Sequence, residues 1–292
     1  MKVTILGAAA GGGLPQWNCG CRNCRDARAG RIAGMTQSSV AVTVDGHTVV
    51  LNASPDIRAQ LSACGMAPEG LRGSPFAAVV LTNADVDHLA GLLSLRESSA
   101  FAIHATPATL AILAQPIFRV LNPDYVARVP IALDQPFEPV PGLRVTAFAV
   151  PGKVALYLED GEPDTQLMGE QTVGLRLESG GRRLLYIPGC ATVPDGLLAE
   201  MAAADLILFD GTVWQDDEMG RTGTGSKTGA RMGHMAMAGP EGSMARLDGL
   251  TARRVFVHIN NTNPVLQPAS PERAEAAAAG WEIGFDGMEI TP

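Results

Sequence analysis

The chain has 292 residues and sets 22 Lys and Arg against 30 Asp and Glu, a net charge of −8. That balance argues against a surface of clustered cations able to displace counterions from a phosphate backbone, so nucleic acid is not expected as a partner. A composition 46% hydrophobic and 18% charged is that of a packed globular enzyme. No Pro/Ser-rich linker interrupts it, and a single domain over residues 1–292 is expected.

The first apolar run, VTILG at 3–7, is followed by the glycines of GAAAGGG too soon for a signal-peptide core. No later stretch approaches about eighteen unbroken apolar residues, so a cytoplasmic protein with no membrane partner is expected. The glycine run GAAAGGGLPQ at 7–16 lacks the GK[ST] ending of a phosphate loop and the GxGxxG of a dinucleotide fold, and reads as a strained turn or a substrate-facing loop. WNCGCRNC at 17–24 then crowds Cys19, Cys21 and Cys24 together, which suits a zinc knuckle in a reducing compartment better than a disulfide framework. Strand patterns follow at 39–44, 48–53 and 77–82, the first two joined by the turn Asp45-Gly46. Helical patterns occupy 56–64, 88–96 and 106–114; Cys64 is expected to be buried, and His47, in a hairpin turn, and His104, after an apolar strand, to be structural. Further strands are expected at 143–150, 172–179, 183–188, 206–210 and 254–259, with helices at 194–203 and 271–279, the last opened by Pro271 behind a Ser270 cap. Strands that follow one another early and alternate with helices later predict an α/β (α+β) architecture of two packed mixed sheets covered by helices. The glycine-rich, weakly periodic segment 210–242 reads as a long functional loop, and its Arg and Lys residues at 221–231 as a feature that attracts a carboxylate substrate or as a solvated face.

The strongest chemical signal is LTNADVDHLAGL at 81–92, where an apolar strand runs into Asp85, Asp87 and His88 and then into a helix. Two carboxylates and an imidazole so close together suit a borderline divalent ion. The competing reading makes Asp85 and Asp87 helix caps and leaves His88 exposed in the first turn. His234, in GARMGHMAMAG at 229–239, has the right ordinary pKa for an acid or hydrogen-bond donor; the alternative is a loop histidine among packing methionines.

The segment 81–92 resembles the HxHxDH metal motif of the metallo-β-lactamase superfamily. Asn83 and Asp85 stand where the first two histidines would be, Asp87 and His88 match, and VFVHINNTNP supplies His258 as the late histidine. The middle histidine is replaced by Lys153 in VPGKV, and the bridging aspartate by Gly189 or Cys190 in YIPGC, which makes Cys190 a candidate site-facing thiol. The chain has five histidines, so a dinuclear zinc site cannot be filled. A single-metal site of Asp87, His88 and His258 remains, with Asp85 as a further ligand or a hydrogen-bond acceptor behind them. Two imidazoles and carboxylate with open positions is the pattern of non-haem iron that activates oxygen; a mononuclear zinc hydrolase is the competing reading. Superfamily members with the same cysteine triplet complete it with a histidine at the position of Asn261, so the fourth donor here is Asn261, another nearby oxygen, or His234.

WNCGCRNC, TNADVDH, PGK and HINNTNP in this order resemble the pyrroloquinoline quinone (PQQ) biosynthesis protein B family over essentially the full length. The resemblance implies a metallo-β-lactamase fold, a four-layer αββα sandwich, and a cytoplasmic step in making the quinone. It implies Fe(II)-dependent, oxygen-using hydroxylation of the tyrosine ring of a Glu-Tyr unit derived from a precursor peptide. Zinc is able to substitute at the active site, and structural zinc sits at the knuckle. His234 would orient the phenol or move protons, and Lys153 would fill the lost second-metal space with its own charge. Other proteins of the pathway are candidate partners, and a homodimer is expected. A carrier for PQQ or an intermediate, or a mononuclear zinc hydrolase, are the alternative functions.

Overall fold

The computed structural model describes Met1–Pro292. Its strands are β1 (Lys2–Gly7), β2 (Ser39–Val44), β3 (His47–Leu51), β4 (Ala78–Val80), β5 (Phe101–Ala105), β6 (Val126–Pro130), β7 (Pro136–Val140), β8 (Leu143–Ala149), β9 (Val173–Ser179), β10 (Arg182–Ile187), β11 (Leu206–Asp210), β12 (Arg253–Val257), β13 (Trp281–Ile283) and β14 (Glu289–Ile290). They form two seven-stranded sheets, ordered β14-β1-β2-β3-β4-β5-β6 and β13-β12-β11-β10-β9-β8-β7. Each sheet is antiparallel through its hairpins and parallel where helices intervene, from β3 to β6 in one and from β10 to β13 in the other.

The side-chain period of two explains why the strands read as apolar runs. In β3, Val49 and Leu51 turn into the core between the sheets, while Val50 faces a second cluster under the helices Ile57–Ala63 and Pro107–Leu113. Val3 and Val42 from the first sheet share the central core with Val145, Leu175 and Leu185 from the second. Helices on the outer faces complete the expected layers. The Ser270 hydroxyl accepts from the Arg273 amide, so the helix Pro271–Ala278 begins with the expected cap.

Four strands lie outside the expected set, β6, β7, β13 and β14, and their chemistry explains why. β6 and β7 are edge strands that carry Pro130 and Pro136, and β13 and β14 are three and two residues long. The expected loop 210–242 contains the short helices Glu218–Arg221 and Gly229–Met232. Cys64 is half-buried at a helix end instead of fully buried. No helix is long and apolar enough to cross a membrane.

Candidate metal centre and active site

The turn after β4 carries the metal motif. Asp85 takes the N-cap position of the short helix Val86–Leu89 but makes no side-chain capping bond, and His88 is buried, so the helix-cap reading fails on both counts. The first functional group in this turn is Asn83. Its Oδ1 accepts from His88 Nδ1 at 2.7 Å and from the Asp85 amide at 3.0 Å, and its Nδ2 donates to Asp85 Oδ2 at 2.9 Å. Where the superfamily has a ligand, this chain has a clamp that fixes the His88 ring. Behind it, Asn52 Oδ1 accepts from the Thr82 amide at 2.9 Å, and Asn52 Nδ2 donates to the Tyr186 hydroxyl at 3.3 Å, bracing the turn through a buried polar chain.

With Nδ1 donating to Asn83, His88 presents Nε2 as a bare lone pair, and that atom is buried with no partner. A buried imidazole nitrogen left unpaired is costly unless a cation completes it. His258 approaches from the end of β12, in the left-handed region at φ 56°. For a residue with a side chain this backbone costs on the order of 1–3 kcal/mol, a strain typical of functional positions. His258 Nε2 donates to Asp87 Oδ2 at 3.1 Å, and the His88 and His258 rings meet edge to face at 5.2 Å. Asp87, His88 and His258 thus bring one donor atom each within 4.8 Å of one another. The residues fit a divalent ion, which would take the place of the proton between Asp87 and His258. Asp85 lies outside this triad and is held by Asn83.

Burial acts on all three groups. It would raise the Asp87 carboxyl, but the charges of His88 and His258 outweigh it and hold the group well below the usual carboxylate range. Burial lowers His88, with Asp87 only partly offsetting it. It would lower His258 too, but the hydrogen bond and charge of Asp87 win and His258 is raised. The Asp87 side chain keeps 15% exposure against 2% for His88, so the open side of the triad is the carboxylate side. The glycine-rich loop borders it: a Cβ on Gly11 would stand 3.5 Å from the Asp87 carboxylate. The Ile259 amide donates to the Ala8 carbonyl and the Ala10 amide to the Ile259 carbonyl, tying this loop to His258.

His234 is brought to the same place by residues that the sequence did not single out. Asp210, fully buried at the end of β11, accepts from His234 Nδ1 at 2.7 Å and from the Cys190 amide at 3.0 Å through Oδ2. Its Oδ1 accepts from the Thr212 amide at 3.0 Å and the Thr212 hydroxyl at 2.6 Å. Four donors saturate this carboxylate, so Asp210, His234 and His258, although close enough together to suggest a second metal site, form a hydrogen-bonded group. Thr212 Oγ1 also accepts from His258 Nδ1 at 2.8 Å, which links both histidines to one buried carboxylate. The His234 and His258 rings stack at 5.1 Å, and a Cβ on Gly189 would touch His234 at 3.6 Å.

The cysteine triplet and Asn261 also meet. Asn261 Nδ2 lies 3.2, 3.6 and 3.3 Å from the sulfurs of Cys19, Cys21 and Cys24 and donates toward them, so its side-chain amide closes the triplet, Oδ1 being the atom of that group able to ligate a metal. His234 lies with Asp210 instead and drops out as the fourth ligand. Amides of Gln16, Cys21 and Cys24 donate to the sulfurs at 3.4 to 3.5 Å. Burial works against ionising Cys19, but these contacts outweigh it and lower the thiol, whereas burial pushes Cys21 up to about 11. Asn23 Nδ2 donates to the carbonyls of Asn261 and Asn263 at 3.0 and 2.9 Å, tying the knuckle to the loop that carries His258.

The remaining candidates are not members of the triad's donor set. Lys153 Nζ pairs with Glu159 at 2.8 Å. Cys190 is fully buried, its thiol donating to the Thr192 carbonyl at 3.0 Å and raised by burial, so it does not face the site. His104 is a member of β5, stacked on Phe137 at 5.0 Å, and His47 opens β3.

Residues 47–259 match the beta-lactamase superfamily domain. Coenzyme PQQ synthesis protein B of Ruegeria pomeroyi is 56% identical over 293 residues, covering 99% of each chain. The crystal structure of Zn(2+)-bound PqqB from Methylobacterium extorquens superposes with a TM-score of 0.98 at 55% identity over 100% of both chains. A diphosphatase of the PhnP family shares the fold at a TM-score of 0.71 and 20% identity, over 100% of this chain and 97% of that one.

Proposed function

Because this chain belongs to the coenzyme PQQ synthesis protein B family of the beta-lactamase superfamily, we propose that it performs an oxygen-using hydroxylation in PQQ biosynthesis, acting on the tyrosine ring of a Glu-Tyr unit. Asp87, His88 and His258 would hold the ion, and ferrous iron bound there would supply the activation of oxygen. The observation that carries this reading is the unpaired, buried Nε2 of His88 beside Asp87 and His258 in a set with one open side.

The protein's own groups have separate tasks. Asn83 keeps Nδ1 of His88 protonated, so Nε2 stays a ligand. Thr212 donates a hydrogen bond from its hydroxyl to Asp210 and accepts one from His258 Nδ1, which fixes that ring. His234, with Nδ1 donating to Asp210, leaves Nε2 to orient the phenol or to accept its proton. Gly11 lets the substrate approach Asp87 without a side chain in the way.

A mononuclear hydrolase keeps the fold but needs no oxygen, and a carrier keeps the pocket without turnover. Anaerobic reconstitution with ferrous iron, followed by oxygen and Glu-Tyr, separates them. Hydroxylated dipeptide is the expected product. Oxygen-independent cleavage of an ester or phosphodiester, or tight quinone binding without turnover, would replace this proposal with the hydrolase or the carrier.

A further inference from the structure

One charged cluster beside the triad has no task in this scheme. Lys153 Nζ and Arg231 Nη2 converge on the two oxygens of Glu159, at 2.8 and 3.0 Å. The Lys153 and Glu159 side chains are only 12% and 7% exposed. Arg231 Nη1 is buried with no partner, and its Nε reaches the exposed Glu162 at 3.0 Å. The cluster adjoins the site from both sides. A Cβ on Gly233, the residue before His234, would lie 3.4 Å from Lys153 Cγ. The Thr172 hydroxyl donates to the Lys153 carbonyl at 3.1 Å, and Thr172 pairs with Asn83 in an isolated bridge.

Glu159 belongs to a loop closed at its base by reciprocal backbone hydrogen bonds between Gly152 and Leu167. Above that base the loop is fastened by side chains: Tyr157 Oη donates to the Ala84 carbonyl at 2.8 Å, Gln166 Oε1 accepts from Thr192, and Glu159 and Glu162 pair with Lys153 and Arg231. Leu156, Tyr157, Leu158 and Met168 are 43–58% exposed, so little apolar burial holds it shut. Such a loop opens at low cost.

We infer that Lys153 and Arg231 form the seat for a carboxylate of the substrate, and that Glu159 fills it as an internal stand-in until a ligand carboxylate takes its place. The identity of that ligand rests on the dipeptide reading above. Exchanging one carboxylate for another leaves no buried cation unpaired, and the free Nη1 of Arg231 offers a second prong for a bidentate contact. Leu156, Tyr157 and Leu158 are placed to cover an aromatic ring whose acidic neighbour is anchored here.

The test is calorimetric binding of Glu-Tyr, Gln-Tyr and Glu-Tyr amide to the anaerobic ferrous protein. A charged hydrogen-bonded pair predicts that the wild type prefers Glu-Tyr to one of the neutral analogues by about tenfold or more. Lys153→Met and Arg231→Met should each erase that preference, and Glu159→Gln, having lost the internal competitor, should bind Glu-Tyr several-fold more tightly. No preference in the wild type, its retention in both methionine variants, or weaker binding by a folded Glu159→Gln protein would overturn the seat. Should Glu159→Gln fail to fold, the methionine variants decide alone. If the dipeptide is hydroxylated but Lys153 and Arg231 do not discriminate, the seat falls and the hydroxylase reading stands. If the wild type does not hydroxylate it, glutarate becomes the probe: binding to the wild type but not to Arg231→Met supports the seat, and any other pattern overturns it.

Discussion

The two clusters that can hold a metal are built from opposite materials. At the knuckle, three sulfurs face one another and the side-chain amide of Asn261, with backbone amides already directed at the sulfurs. A saturated thiolate set holds an ion and admits nothing else. At the strand ends, two imidazoles and a carboxylate supply three donors, and the 15% exposure of Asp87 beside Gly11 leaves the remaining positions open. An open nitrogen and oxygen set is what chemistry on a bound molecule requires. On the proposed function, the difference would give one ion an architectural task and the other a chemical one, and Asn261, in the loop that begins at His258, joins the two clusters.

The largest effect should come from breaking the open set. His258→Ala is expected to abolish turnover and remove one metal equivalent while the knuckle ion stays, as read by metal analysis of the purified variant. Loss of both ions would show that the two sites are one cooperative unit. Replacing Cys19, Cys21 and Cys24 together by Ser probes the opposite side of the comparison. The knuckle metal should be lost, and active-site affinity should weaken by about 10–100-fold, the usual consequence of losing an orienting partner. Unchanged zinc content in this variant would rule the knuckle out as a metal site.

Asn83→Ala removes the clamp on His88 while leaving every ligand in place, so a similar loss of roughly 10–100-fold is expected for the active-site ion, with the knuckle unaffected. Equal metal affinity in a competition titration would reduce Asn83 to a structural residue. The smallest effect concerns stability alone. Burial raises the Glu218 carboxyl from its ordinary 4.5 to about 7, against hydrogen bonds from Thr262 and the Trp214 amide. A carboxyl raised on folding stabilises the protein fully below the unfolded value and loses that contribution as pH rises through the folded one. Wild-type stability should therefore decline from about 4.5 to about 7 relative to Glu218→Gln, and parallel denaturation curves across that window would contradict it.

How much of this was legible follows from the range of each interaction. Asp87, His88 and the cysteine triplet are local patterns, so their chemistry was readable, and His258 was found through a resemblance at a strand end. Asp210 and Thr212 were not, because LILFD reads as an ordinary buried strand and their partners His234 and His258 lie 24 and 46 residues away. Asn83 was visible only as a lost ligand; its use as a ring clamp depends on how the turn folds back on His88. The two-sheet plan was legible from strands that follow one another early and alternate with helices later, while the edge strands β6 and β7 were obscured by their prolines. Glu159 gave no signal, since its partners come from Lys153 and from the helix Gly229–Met232, which the sequence presents as loop.

The central claim is that the open triad carries out oxygen chemistry, and isotopic labelling tests it most directly. Ferrous protein reconstituted without air is mixed with Glu-Tyr under heavy-isotope dioxygen in ordinary water, and the dipeptide is weighed by mass spectrometry. The account predicts a ring hydroxyl that carries the label from the gas and is absent from a His88→Ala protein. An unmodified dipeptide, or a product whose new oxygen comes from water, would contradict it.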